Sequence, residues 1–281
     1  IISNNILVNH NINIWKNTAT LDGYDKGLSF TGDKEQAEIA LLGSKPIDLL
    51  EFPNLKGIFR AGIGKDNVPK KLAAEKGILV RYPSQETINM IYDETAAFTC
   101  SLIFRMSYDF VGTIDPWNKY DRPALSEKKL MVIGKGNIGK RVVEYMQPLM
   151  KIITFDIMEN KFSELSGLIS QADYITLHIP KTNENEVFMN RERLALMKDG
   201  ATLINTARGS IVDEDALYSE VKSGRLKAAF DVFWKEPYNG KLKKFHPKKF
   251  YMSPHIAGYT DAFLLGCRKS LDNLISELSY D

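Results

Sequence analysis

Three side chains that can bind anions or transfer protons each follow a short apolar segment in the second half of the chain. These residues are Arg208, Glu236 and His255. Ligands of open α/β sheets bind beyond the carboxyl ends of the strands. If the apolar segments are strands, a guanidinium, a carboxylate and an imidazole therefore meet at one edge of a sheet. The preceding segments are 201–204, 228–230 and 250–252.

Together these side chains have the chemistry needed to interconvert a 2-keto acid and a 2-hydroxy acid. The Arg208 guanidinium is a planar fork of donors that can hold a carboxylate and polarise the adjacent carbonyl. His255 can give a proton to the carbonyl oxygen as hydride reaches the carbon, and it takes that proton back in the reverse reaction. Glu236 would stabilise the imidazolium and fix its orientation. A surface ion pair for Arg208 and a polar turn for Glu236 are the simpler alternatives.

A glycine motif lies earlier in the chain. The apolar run 130–133 leads directly into G-x-G-x-x-G at residues 134–139. The first glycine of such a motif allows a tight turn, the second lets the backbone approach a pyrophosphate, and the third lets the helix pack closely on the strand. The N–H groups at the start of the following helix then face the phosphates. Asp156 ends the next apolar run, 22 residues after Gly134, where a carboxylate should accept hydrogen bonds from a ribose. The complete set favours dinucleotide binding over an ordinary βαβ turn with a surface aspartate.

The elements that must position these residues alternate between strand-like and helix-like segments, which predicts an α/β fold with doubly wound parallel sheets. The second half of the chain has six strand-like segments, the number in a complete dinucleotide-binding fold. The first hundred residues form a smaller α/β domain of their own. The predicted strands are 6–8, 39–42, 58–60, 78–80, 130–133, 152–155, 174–177, 201–204, 228–230 and 250–252, and a helix is predicted over 68–76.

Two long helix-like segments and a linker set the predicted domain boundaries. The segment 93–106 is apolar at helical spacing, and 113–126 contains two prolines and is typical of a linker. The amphipathic segment 262–278 is surplus to the second domain, so we expect it to pack on the first. The prediction is two Rossmann-like or flavodoxin-like domains with a cleft between them: 1–105 plus 262–281 for the substrate, and 106–261 for the cofactor.

Composition excludes several classes of partner. The 281 residues carry 37 basic and 35 acidic side chains, a net charge of +2, so no overall field favours nucleic acid or a membrane. No apolar run approaches the ~18 to 20 residues that span a bilayer. The distant Cys100 and Cys267 are expected to be reduced core residues of a cytoplasmic protein. The lysines at 241–249 are interpreted as a solvated loop, with a partner patch as the alternative, and no cluster has metal-ligand spacing.

The segments GKGNIG, INTARGSIVDEDAL, AAFDVFWKEP and SPHIAG resemble the signature segments of the D-isomer-specific 2-hydroxyacid dehydrogenases. The resemblance implies an NAD-dependent enzyme in which Arg208, Glu236 and His255 are catalytic. His178, at the end of a strand, is expected to shape the adenine pocket. The predicted cofactor contacts are Gly134, Gly136, Asn137, Ile138, Gly139, Asp156, His178, Ile179, Pro180, Thr206, Ala207, Arg208, Asp231, His255, Ala257 and Gly258.

The segment 60–67 resembles the loop of this family whose N–H groups receive the substrate carboxylate. An arginine that opens it is similar to the phosphoglycerate dehydrogenases, which makes 3-phosphohydroxypyruvate a candidate substrate. The chain departs from the family at 92–94, where Tyr-Asp-Glu replaces a V-A-E pattern, and at Ile88, where Asn is common. The segment 105–134 is slightly short; in relatives it contributes to a dimer contact, and a homodimer is expected. The predicted substrate contacts are Arg60, Ala61, Gly62, Ile63, Gly64, Arg208 and His255.

The resemblance leaves two alternatives. Formate dehydrogenases carry Gln at the position of Glu236, so this residue disfavours that activity. The corepressors of the family keep all three catalytic residues, so an NAD(H)-sensing interaction protein is the alternative function. NAD is expected over NADP because Asp156 would repel a 2′-phosphate and the segment 157–159 contains no arginine. The particular 2-keto acid is left open.

Overall fold

The computed structural model describes residues 12–109 and 111–279, so the strand expected at 6–8 lies outside the described residues. The chain forms two compact units. One contains the described residues up to 91 and those from 259 onward, and the other contains residues 92–258. The domain boundaries at 105 and 262 that the sequence predicts stay a prediction.

The first unit is built on a parallel five-stranded sheet. The strands predicted at 39–42, 58–60 and 78–80 are present, and two short strands precede them that the sequence did not predict. Their order across the sheet is β2-β1-β3-β4-β5. The strands are β1 (Asn13–Lys16), β2 (Ser29–Phe30), β3 (Ile39–Leu42), β4 (Gly57–Arg60) and β5 (Leu79–Arg81).

Two helices follow β4 in the sequence, one before β5 and one after it. α1 covers Lys70–Glu75, and the chain turns after it at Gly77, whose φ of +69° is a left-handed conformation that favours glycine. α2 covers Gln85–Ser107 and begins eight residues earlier than the predicted segment. Residues 85–91 of α2 belong to the first unit, and residues 92–107 belong to the second.

The predicted linker contains a short antiparallel hairpin. Its strands are β6 (Gly112–Thr113) and β7 (Asn118–Lys119). The prolines correctly predict a break in the α/β alternation, but residues on either side of Pro116 pair with each other. This hairpin has only two residues in each strand.

The second unit is built on six parallel strands, all six of which the sequence predicts. Their order is β13-β12-β11-β10-β8-β9, so the first strand of this sheet lies between the second and the third. The chain therefore reverses its winding direction between β8 and β10, where ligands of such sheets bind. The strands are β8 (Lys129–Ile133), β9 (Lys151–Phe155), β10 (Tyr174–Leu177), β11 (Thr202–Asn205), β12 (Lys227–Phe230) and β13 (Phe250–Met252).

Helices cover both faces of this sheet. α6 begins as predicted after Asp213, whose Oδ1 accepts the N–H of Ala216 at 2.9 Å, and ends at Gly224 with φ +82°. One face packs on α2 and α3, and the other on α4, α5 and α6, with apolar side chains buried on each. The helices are α3 (Asn137–Met146), α4 (Leu165–Ile169), α5 (Arg191–Leu196) and α6 (Glu214–Ser223).

The last helix, α7 (Asp261–Ser279), packs on the first sheet. It contributes Leu264, Leu271 and Leu274 to the same apolar cluster as Leu41 and Phe59 of that sheet. A Cβ at Gly57 in β4 would lie 2.9 Å from the Leu278 side chain, so the absence of a side chain there lets the helix approach the strand. Within the described residues no helix is long and apolar enough to span a membrane.

Candidate active site

The glycine motif forms the turn between β8 and α3. Gly134 has φ +90°, and a Cβ there would lie 2.7 Å from the carbonyl oxygen of His178. A Cβ at Gly139 would lie 1.9 Å from the carbonyl oxygen of Gly134. A Cβ at Gly136 would meet nothing within 4 Å, and no side chain caps α3. Two glycines are thus required by the fold, while the third leaves open space at an uncapped helix N-terminus, which fits a pyrophosphate.

Asp156 follows β9 directly and lies beside the glycine turn. Its Oδ2 accepts the N–H of Lys135 at 2.7 Å, and its Oδ1 accepts the N–H of Met158 at 3.0 Å. Each carboxylate oxygen keeps a further lone pair with which to accept a ribose hydroxyl. The Lys135 ammonium pairs with both oxygens of Glu159, at 2.8 and 2.7 Å. The carboxylate is therefore fixed beside the glycine turn, and the ribose contact predicted for it stays a prediction.

His178 follows β10, across the switch point from the glycine turn. Its Nε2 lies 3.0 Å from Oγ1 of Thr176. Burial lowers the pKa of His178 to about 3, so the ring is neutral at physiological pH. This is consistent with a role in shaping a pocket and not with proton transfer. Ile179 and Pro180 continue the same loop.

The loop after β11 is held by Asn205, a fully buried residue whose role the sequence did not reveal. Its Nδ2 donates to the carbonyl of Arg208 at 2.8 Å, and its Oδ1 accepts the N–H of Ala207 at 3.0 Å. Thr206 lies 2.8 Å from Thr99 of α2, hydroxyl to hydroxyl. These contacts fix the backbone of the loop that carries Arg208.

Asp231 follows β12 and is completely buried. Its Oδ1 accepts the hydroxyl of Ser253 at 2.6 Å and the N–H of Ile256 at 3.0 Å. Its Oδ2 accepts the N–H of Ala257 at 2.9 Å. Three hydrogen bonds to one carboxylate fix the loop after β13, which carries His255. The nicotinamide contact predicted for Asp231 stays a prediction beside this positioning role.

His255 and Glu236 form a hydrogen-bonded pair. His255 Nδ1 lies 2.9 Å from Glu236 Oε2, and Glu236 Oε1 accepts the N–H of Phe233 at 3.1 Å. The His255 backbone has φ +56°, an uncommon conformation for a residue with a side chain. Because such strain persists only where its surroundings enforce it, the bonds of Asp231 explain it. With Nδ1 engaged, Nε2 is the atom left for proton transfer.

Charges around Glu236 keep it ionised. Burial by itself raises the pKa of the Glu236 carboxyl, but the hydrogen bond and charge of His255 lower it. The N–H of Phe233 and the charge of Arg208 lower it further, and the net pKa lies below its usual value. Arg208 therefore acts electrostatically on the pair. Because β11, β12 and β13 are neighbours in the sheet, the structure brings the three predicted catalytic residues to one edge.

The predicted substrate loop follows β4 in the first unit. Arg60 is buried, with Nε 3.2 Å from Oδ1 of Asn67, and its Nη1 donates to the carbonyl of Ala61. Gly62 has φ +140°, and a Cβ there would meet the Arg60 guanidinium. The remaining members of this loop are Ile63 and Gly64. Within residues 12–109 and 111–279, no group of three acidic, histidine or cysteine side chains could hold a metal ion.

Comparison with known proteins is consistent with this geometry. The NAD binding domain of the D-isomer specific 2-hydroxyacid dehydrogenases matches residues 112–257. The hydroxypyruvate reductase of Thermotoga maritima is 34% identical over 229 residues, which are 76% of this chain and 74% of the relative. The D-3-phosphoglycerate dehydrogenase of Methanocaldococcus jannaschii is 36% identical over 203 residues, 65% of this chain and 38% of the relative.

A similar solved structure is the D-lactate dehydrogenase of Aquifex aeolicus complexed with NAD and lactic acid. It has a TM-score of 0.77 and 26% identity, and the alignment covers 95% of each chain. Fold, site and sequence thus define an oxidoreductase that acts on a CH–OH group with NAD(P). The chain belongs to the D-isomer specific 2-hydroxyacid dehydrogenase family.

Proposed function

We propose that this protein interconverts a D-2-hydroxy acid and its 2-keto acid with NAD, and that Arg208, Glu236 and His255 carry the reaction. The observation that supports this most is the 2.9 Å hydrogen bond between His255 and Glu236 in the unit that holds the glycine turn. It gives the imidazole a fixed orientation and an ionised partner.

In the direction of reduction, bound nicotinamide supplies the hydride to the carbonyl carbon. Arg208 binds the substrate carboxylate and withdraws charge from the adjacent carbonyl. Protonated His255 gives the proton on Nε2 to the carbonyl oxygen as negative charge develops there. Glu236 stabilises the imidazolium until the proton has left, and in the reverse direction neutral His255 accepts the hydroxyl proton.

NAD is the proposed cofactor because the Asp156 carboxylate, held by the N–H groups of Lys135 and Met158, would repel the 2′-phosphate of NADP. The nearby Lys135 ammonium is bound by Glu159, so it offers that phosphate little attraction. Steady-state rates with NADH and NADPH test this choice. A higher kcat/KM with NADPH would contradict it.

Arg60, at the start of the substrate loop, supports an acidic substrate, and 3-phosphohydroxypyruvate is the leading candidate. The decisive experiment is a panel of NADH oxidation rates with phosphohydroxypyruvate, hydroxypyruvate, glyoxylate, pyruvate and branched 2-keto acids. Turnover of one or more supports the proposed function. If none reacts while NADH still binds, the NAD(H)-sensing alternative gains support, and a partner-binding assay with and without NADH follows.

We also propose that the protein is a homodimer through the β6–β7 hairpin. Val111, Ile114 and Trp117 of this hairpin are 51%, 77% and 72% exposed, and apolar side chains clustered at a surface are typical of a protein interface. Sedimentation velocity of the wild type and of Trp117→Lys tests the contact. A monomeric wild type would contradict it, and Leu50→Lys, at an exposed leucine of the first unit, is the control.

A further inference from the structure

The hydroxyl of Tyr82 is the one buried side-chain polar atom without a hydrogen-bond partner in the part of the chain that the structure describes. A buried donor without an acceptor destabilises a fold. Such an atom in a native structure calls for an explanation, and its surroundings show what kind of acceptor would fit.

Tyr82 lies at the carboxyl edge of the first sheet. β4 and β5 are neighbours, and Phe59 pairs with Arg81, so Arg60 and Tyr82 are the next residues in register. Ligands of parallel sheets bind at this edge. Burial raises the pKa of Tyr82, and the Arg60 charge offsets part of that effect. The phenol therefore stays protonated at neutral pH and acts as a donor.

Two lysines lie over the same ring. The Nζ atoms of Lys65 and Lys70 are 5.2 and 5.8 Å from the Tyr82 ring centroid. Cation–π contacts of exposed lysines are weak, so both ammonium groups can turn to a stronger partner. Asp66 adds one negative charge to the same loop. The two lysines and Arg60 outnumber it, so the net charge of these four residues is positive.

We propose that Tyr82, Lys65 and Lys70 form a subsite for an oxyanion, namely the charged distal group of the substrate. The inference rests on the proposed function, since it assigns this site to the tail of a 2-keto acid. A phosphate or carboxylate supplies the acceptor that Tyr82 lacks and the charge that the two lysines attract. The hydroxyl is buried in this structure, so binding requires side chains around the ring to move as the anion enters, and the two exposed lysines over the ring would then enclose it.

The subsite selects substrates by their tails. A 2-keto acid with a phosphate or a second carboxylate gains a charge-assisted hydrogen bond from Tyr82, whereas hydroxypyruvate and glyoxylate gain none. Whether the anion is a phosphate or a carboxylate is determined by comparing phosphohydroxypyruvate with a four-carbon 2-keto dicarboxylate.

The first test is Tyr82→Phe, which removes only the hydroxyl. We expect the ratio of kcat/KM for phosphohydroxypyruvate to that for hydroxypyruvate to fall about tenfold, mainly through KM. If the natural substrate is the dicarboxylate, the ratio of kcat/KM for the dicarboxylate to that for hydroxypyruvate falls instead. Tyr24→Phe is the matched control, because its hydroxyl bonds to Asp261 elsewhere in the first unit. Unchanged ratios in an active Tyr82→Phe enzyme overturn the subsite and leave the proposed function standing.

The second test removes the charges. Lys65→Met and Lys70→Met should each lower the same ratio several-fold, whereas Lys71→Met, one residue further along α1, changes the net charge equally and leaves the ratio unchanged. An equal effect at all three positions would indicate a general field and would contradict a built subsite.

A third test needs no turnover. Inorganic phosphate is titrated into the wild type and Tyr82→Phe, and its Kd is measured by phosphorus NMR. We expect about tenfold weaker binding to the variant. If the wild type reduces no 2-keto acid but binds phosphate through Tyr82, the subsite stands and the proposed function fails. Equal binding to both proteins overturns the subsite.

Discussion

The two sheets of this protein share one winding pattern but differ where that pattern creates a crevice. In each, the first strand lies between the second and the third. In the second unit the turn after the first strand is built from glycines, and Gly136 leaves open space beside the start of α3. The strand order determines where the crevice lies, and the turn after the first strand determines whether the crevice has room for a phosphate.

In the first unit, polar side chains of the protein fill the equivalent position. Asn17 Oδ1 accepts the N–H of Gly43 at 3.0 Å, and Asn67 Nδ2 donates to the carbonyls of Gly43 and Lys45 at 2.8 Å. A Cβ at Gly43 would lie 2.7 Å from Oγ1 of Thr18. These contacts occupy the position that the glycine turn occupies in the second unit.

The largest effect is expected at the edge where we propose catalysis. His255→Gln should lower kcat about 100-fold or more, because the proton donor is lost. The Kd of NADH, measured by fluorescence titration, should stay within about twofold of wild type. His246→Gln, a change to another histidine of the same unit, is the control. Full turnover by His255→Gln would remove this residue from the acid role.

Gly136→Ala tests the open space directly. Its Cβ would meet nothing within 4 Å, so the free energy of unfolding should change by about 0.5 kcal/mol or less. The methyl group enters the space assigned to the pyrophosphate, so NADH affinity should fall about tenfold. Gly32→Ala, equally unhindered in the first unit, should alter neither quantity. Unaltered NADH affinity in Gly136→Ala would place the phosphates elsewhere.

Polar residues hold both edges, but catalysis is proposed at only one of them. Asp231→Asn loses acceptor capacity in the interior and should lower the free energy of unfolding by about 1–3 kcal/mol, and kcat should fall because the loop of His255 loosens. Asn17→Ala in the first unit should cost about 1 kcal/mol and leave kcat at the wild-type value. Urea denaturation with steady-state assays measures both. A normal kcat in Asp231→Asn would show that His255 is positioned without it.

The smallest predicted effect is on the loss of stability at acidic pH. Because the folded pKa of His178 is about 3, well below its usual 6.5, the unfolded chain binds the extra proton first, and stability falls as pH drops below about 6.5. Histidine is absent from the described residues of the first unit. His178→Gln should therefore lose less stability than wild type between pH 7 and pH 5 in urea denaturation.

The matched control for this acid effect is Glu38→Gln in the first unit. The hydrogen bond from Lys56 lowers the pKa of the Glu38 carboxyl, so its stabilising charge is present at neutral pH and is lost only below about 4.5. Its variant should therefore parallel the wild type between pH 7 and pH 5. A wild-type slope in His178→Gln would contradict the burial of this ring.

Local signals explain what could be predicted. The six strands of the second unit are apolar segments long enough to be recognised, and Asp156 lies at a fixed spacing from the glycines. β1 and β2 were not predicted because the first has four residues of mixed character and the second has two. The start of α2 was predicted late because its first turn, residues 85–87, is polar and Asn89 interrupts the apolar residues that follow.

The sequence by itself determined which side chains follow which strands, since parallel strands bring their carboxyl ends to one edge. Arg208, Glu236 and His255 could therefore be predicted to meet. Only the tertiary structure decided the strand order and the polar contacts that hold Asp231. It also left the Tyr82 hydroxyl without an acceptor. These features depend on residues far apart in the chain, and no local pattern records which distant groups will be neighbours.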